Sequence, residues 1–115
     1  MAMSKTYWRR KMAERLAARL DGGMTVANVD EAERLVWRLC RLANDNARNC
    51  ERDNDLRMQN ASFARRQERV EERWIEREKE IAGLFGKYGC RIDWPGCYPS
   101  ITADEGFTLD IWEMH

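Results

Sequence analysis

The chain is poor in histidine, in proline and in long apolar runs, and it has no net charge. Its one histidine is His115 and its two prolines are Pro95 and Pro99. Without an imidazole beside a hydroxyl or thiol, a histidine-based nucleophilic triad has no base, and neither a phosphate loop nor a dinucleotide fingerprint is present. A carboxylate pair drawn from Asp93, Asp104, Glu105 and Asp110 reads as an ordinary acidic turn, because glycosidase-type chemistry also needs a cleft that so small a domain scarcely encloses. No enzymatic activity and no cofactor are expected. No run reaches the ~18 apolar residues of a membrane span, and Lys5, Arg9, Arg10 and Lys11 interrupt the apolar positions that an export signal would need. A cytoplasmic location without membrane contact follows as an expectation, with Cys40, Cys50, Cys90 and Cys97 as thiols.

Those cysteines do not form a metal site by spacing. Cys40 and Cys50 lie nearly three turns apart along a helix, Cys90 and Cys97 are separated by more than the usual two to four residues, and His115 is terminal. No metal is expected, and free cysteine is read as a small hydrophobe.

What is present is a chain of 115 residues with 43% hydrophobic and 35% charged residues, including five Trp. That is the composition of a single folded domain, residues 1–115, whose helices carry charge on their outer faces. Lys plus Arg total 20 and Asp plus Glu total 20, so no global field draws the chain toward nucleic acid. Locally the ends are opposite. Residues 1–29 hold six basic and two acidic groups and residues 89–115 hold one basic and five acidic groups, which favours docking of one end on the other within the fold, the other readings being a head-to-tail contact between copies and a basic face open to an acidic partner.

The periodicity predicts an α+β fold that is mainly α: an antiparallel helical hairpin, an N-terminal helix across it, and a short C-terminal β-hairpin or small three-stranded sheet. Ser4 caps a first helix over about 4–20, with Trp8, Met12, Leu16 and Leu20 on one face and Gly22 and Gly23 beyond its end. Asp30 and Glu33 suggest a capping box opening a second helix over about 30–52, with Leu35, Val36, Leu39, Leu42 and Ala43 on its apolar face. Within it Asn44-Asp45-Asn46 weakens the helix, and Asn46 falls in the apolar arc. It either sets the register of packed helices or marks a bend or end.

Residues 53–61 read as polar connection, with Leu56 and Met58 available to cap the bundle. From Ser62 to about 85, Phe63, Val70, Trp74, Ile81, Leu84 and Phe85 share an arc opposite a lattice that includes Arg65, Glu72, Glu76 and Glu80. Gln67 and Arg77 spoil a strict coiled coil, so the stripe is read as buried in a monomer, a homodimer remaining the other reading. After Gly89 the period becomes two, predicting strands over about 90–94 and 107–112, with a third around 98–102 as the alternative to a simple hairpin.

Two surfaces are candidates for binding. Trp37 projects about 160° away from Leu39, on the side of Arg34, Arg41, Asn44 and Arg48. An aromatic ring among guanidiniums is the composition of an interaction hot spot; the other reading is that a neighbouring element covers it. Trp94 and Tyr98 stand on a turn stiffened by Pro95 and Pro99, which suggests a second part of the same contact surface. The alternative is a small nucleic-acid-binding accessory protein using Arg9, Arg10, Lys11, Arg15 and Arg19 for phosphates and Trp8 or Tyr7 for stacking. No helix-turn-helix spacing or zinc finger accompanies that patch.

The Arg- and Glu-rich long helix followed by Gly89-Cys90-Arg91-Ile92, an aromatic, a Gly/Pro turn and a closing strand resembles small phage- or prophage-encoded accessory proteins. The likeness covers about residues 30–112 and is one of layout, so no residue role is carried over. It implies a protein that binds and modulates a bacterial protein or protein complex in the host cytoplasm, including inhibition of a defence system.

Overall fold

The computed structural model describes residues 4–56 and 61–112, without the side chains of 50–56 and 61–67. The roles expected for Cys50, Leu56, Met58, Ser62, Phe63, Arg65, Gln67 and His115 lie outside the described residues. The chain is a mainly helical α+β fold: helices α1 (Lys5–Ala17), α2 (Val26–Leu56) and α3 (Ala61–Phe85), a 3₁₀ turn (Gly86–Tyr88), and strands β1 (Arg91–Asp93), β2 (Ser100–Thr102) and β3 (Thr108–Asp110).

Ser4 caps α1, its Oγ accepting from the Tyr7 amide at 3.2 Å. The helix stops at Ala17, and the chain turns through Gly22 and Gly23 at φ +91° and +67°, a backbone region that favours glycine. The start of α2 differs from the capping-box expectation. Thr25 is the cap, its Oγ1 accepting from the Asn28 amide at 3.2 Å. Asp30 and Glu33 therefore sit inside the helix, where both carboxylates bind Arg10 of α1, each at 2.7 Å. The Asn44–Asn46 run does not end the helix, which continues to Leu56, through the first four residues of the expected polar connection.

Helices α2 and α3 run antiparallel. Early in α2, Glu31 binds Lys87 of the 3₁₀ turn beyond α3 and Arg38 binds Glu80, whereas later in α2 the Leu42 carbonyl accepts from Trp74 Nε1 and Asp45 binds Arg77, all at 2.8 to 3.1 Å. Their buried side joins α1 and the sheet in one core, in which Leu16, Leu39, Leu42, Phe85, Ile101 and Ile111 are almost fully enclosed. Val70 and Leu84, expected in that core, are exposed. Among the described residues, the core contacts of α3 are at Trp74, Ile81 and Phe85, so Val70 falls outside them and Leu84 lies on the outer side of the seam with α2.

Gly89, at φ +69°, ends the 3₁₀ turn, and the Cys90 amide reaches back to the Phe85 carbonyl at 3.2 Å. The sheet is three-stranded in the order β1-β2-β3, all antiparallel, with Ile92 opposite Ile101 and Ile101 opposite Leu109. The central strand is thus the one around 98–102, and the outer two do not pair with each other. Ile101 supplies the reason: it is fully buried, and two strands alone would leave their apolar side poorly covered.

Candidate functional site

Counting 100° per residue around α2, the core residues Leu35, Val36, Leu39 and Leu42 occupy one side, while Asp30 and Glu33 meet α1, Arg38 and Asp45 meet α3, and Glu31 meets the 3₁₀ turn that follows it. Arg34, Trp37, Arg41 and Arg48 share an exposed face, on which Asp30 also falls, one heptad before Trp37. Trp37 is 42% exposed although it is among the largest apolar side chains in the chain. Its ring is held from the α1 side: the guanidinium carbon of Arg9 lies 3.3 Å from the ring centroid. Arg9 itself is 6% exposed, and its Nε has no hydrogen-bond partner. Burial pushes the nearby Cys40 thiol above its ordinary range, with the Arg9 guanidinium opposing the shift.

A largely apolar recess of about 580 Å³ opens beside Trp37, lined also by Asp30, Glu33, Arg34 and Arg38. A second, of about 240 Å³, lies on the other side of the Arg34–Arg38 pair, against Leu35, Leu84 and Tyr88. Among the described residues, Arg34, Arg41 and Arg48 enter no ion pair or hydrogen bond, whereas Arg38 binds Glu80 and Asp45 binds Arg77. The face therefore offers a half-exposed indole, two apolar recesses and three unpaired cations.

The Trp94–Tyr98 turn is not brought to this face. Asn46 Nδ2 donates to the Cys97 carbonyl at 3.0 Å, and Asn46 lies about 180° around α2 from Trp37. Trp94 and Tyr98 are half-buried against the core, Trp94 edge-on to Trp74 with centroids 5.0 Å apart. Pro99 is buried, and its carbonyl accepts from the Ile111 amide at 2.9 Å. Only Pro95, Gly96 and Cys97 of the turn are exposed. The aromatics on this turn are largely spent on packing, and Asn46 fastens the turn instead of bending the helix.

The basic residues of α1 and of the turn that follows it are mostly engaged within the fold. Arg9 is buried under Trp37, Arg10 is held by Asp30 and Glu33, and Lys11 is 3.4 Å from Glu14. Arg19 donates to the Tyr88 carbonyl and to Glu105, at 2.8 and 2.7 Å, and both Arg15 and Arg19 lie over Phe107. The hydrogen bonds that Arg10 donates to Asp30 and Glu33 raise its pKa, and the one that Arg19 donates to Glu105 raises that of Arg19. The basic N-terminal end thus docks on the acidic C-terminal end. Trp8 meets Trp112 there, edge to face at 5.7 Å, a contact that the helical period alone did not reveal.

Among the described residues, no group of three His, Cys, Asp or Glu side chains stands close enough to hold a metal ion, and no helix is long and apolar enough to cross a membrane. Comparison with protein-family models, curated proteins and solved structures gave no match.

Proposed function

We propose that the protein is a non-enzymatic binding module whose contact surface is the outer face of α2, centred on Trp37 with Arg34, Arg41 and Arg48. The observation that carries this reading is the Arg9–Trp37 stack: a tryptophan left 42% exposed is fixed in place by a buried guanidinium at 3.3 Å. A fixed aromatic loses little entropy when a partner covers it, and unpaired arginines around it steer and orient an acidic or mixed-charge protein. The resemblance to phage accessory proteins supports a bacterial protein complex as the target, in the cytoplasm, with a modulating or inhibitory outcome that extends to defence systems. Engagement of Arg9, Arg10 and Arg19 inside the fold favours this reading over nucleic-acid binding by α1.

The test is retention of proteins from bacterial lysate on wild type and on Trp37→Ala, followed by affinity measurement with the retained protein purified. A loss of about tenfold or more in affinity, ~1.4 kcal/mol or more, with α-helical circular dichroism unchanged, is expected. Equal affinity for the two forms would overturn the proposal.

A further inference from the structure

Arg34, Arg41 and Arg48 are seven residues apart, and Trp37 and Asn44 fall between them at three and four. On a helix that spacing makes one continuous seam, each heptad advancing ~10.5 Å along the axis. Resting on the binding reading above, we infer that the occupant of this face is an acidic amphipathic helix of a partner protein, laid along α2 with carboxylates at seven-residue intervals opposite Arg34, Arg41 and Arg48. Its apolar residues cover Trp37 and enter the recesses on either side of Arg34 and Arg38, where Leu84 is also exposed.

Charge complementarity selects this occupant. A second copy of the chain, meeting this face with its own, would oppose three unpaired cations with three more, and like charges across a seam are unfavourable. A nucleic acid would bring a continuous line of phosphates past Asp30, which continues the Trp37 line one heptad earlier and is held by Arg10, and past Glu33, Asp45 and Glu80, which flank the arginines on both sides. A helix instead places single carboxylates one heptad apart and turns neutral or basic residues toward those flanking acids. The apolar lining of the two recesses likewise suits side chains from a helix better than a solvated sugar-phosphate backbone.

The probe is a fluorescein-labelled, N-acetylated designed helix of about three heptads, with glutamates seven residues apart and leucines at the intervening seam positions. A second peptide of the same composition has its glutamates moved to the far face. Fluorescence anisotropy on the full chain is expected to give at least about tenfold tighter binding for the registered peptide. Arg41→Glu and Arg48→Glu, both exposed positions without partners among the described residues, are each expected to weaken it by a similar factor, and a peptide with the facing glutamate changed to lysine is expected to recover the loss. Equal binding of both peptides, insensitivity to both arginine reversals, or displacement of the peptide by a thymidine oligonucleotide would each sink the inference. With the lysate partner, loss on Trp37→Ala but not on the arginine reversals defeats the helix inference alone. Survival on Trp37→Ala defeats the underlying reading.

Discussion

The guanidinium of Arg9 covers the ring of Trp37 at 3.3 Å and is itself almost completely buried. A cation in that position, lacking a partner at Nε, is held by packing and by the ring quadrupole, an interaction of about 0.5–2 kcal/mol. It fixes the one large aromatic on the outer face of α2 and also closes the seam between α1 and α2.

Arg9→Met is therefore expected to leave folding stability within about 1 kcal/mol of wild type, because an apolar chain of similar reach replaces a desolvated charge. Arg9→Ala, which also removes the stem from the seam, is expected to cost about 2 kcal/mol. Urea unfolding of both variants measures the difference, and a much larger loss in Arg9→Met would show that the charge itself is indispensable.

Trp37→Ala removes a ring that is only part-buried, so its folding cost is expected at about 1–2 kcal/mol, below the ~3–5 kcal/mol of a fully enclosed aromatic. Phe85→Ala, at a fully buried position, is expected in the upper range. Chemical denaturation of the pair orders them, and the reverse order would place Trp37 in the core.

Asn46→Ala removes the donor to the Cys97 carbonyl, an expected loss of about 0.5–1.5 kcal/mol. Faster amide hydrogen exchange is expected around residues 96–98, with α2 remaining helical. Exchange unchanged in the turn would mean that the Trp94–Trp74 contact fastens it alone.

The Glu105 carboxyl is held below the usual range, first by its own backbone amide and then by Arg19. A depressed folded-state pKa contributes stability that is complete above the ordinary carboxylate range and is lost as pH falls through the lower, folded-state value. Glu105→Gln is expected to lower the melting temperature slightly at neutral pH and to flatten its fall below pH ~4. Superimposable wild-type and mutant pH profiles would refute the coupling.

Cys97 is exposed, whereas Cys40 and Cys90 are buried with their thiols pushed up by burial. Thiolate content and access both set alkylation rates. Peptide mapping after brief iodoacetamide treatment is expected to find Cys97 modified well ahead of Cys40 and Cys90, and equal labelling of the three would contradict this arrangement.

Short-range rules in the sequence determined much of this protein. Ser4 capped α1, the 3.6-residue period placed Leu16, Leu39 and Phe85 in the core, the change of period after Gly89 announced strands, and Trp37 stood off the apolar face of its own helix. These depend on residues within a turn or two of each other, where backbone geometry fixes which side chains share a face. Tertiary structure decided the rest. Asp30 and Glu33, inside a helix that Thr25 already caps, took Arg10 of another helix as their partner, and Asn46 was satisfied by a carbonyl 51 residues away. Arg9 left the predicted basic patch for a place under Trp37, and the Trp94–Tyr98 turn came down on the side of α2 opposite that ring. Each outcome turned on which distant partner could satisfy a charge or a polar group removed from water, and helical periodicity contains no information about such partners.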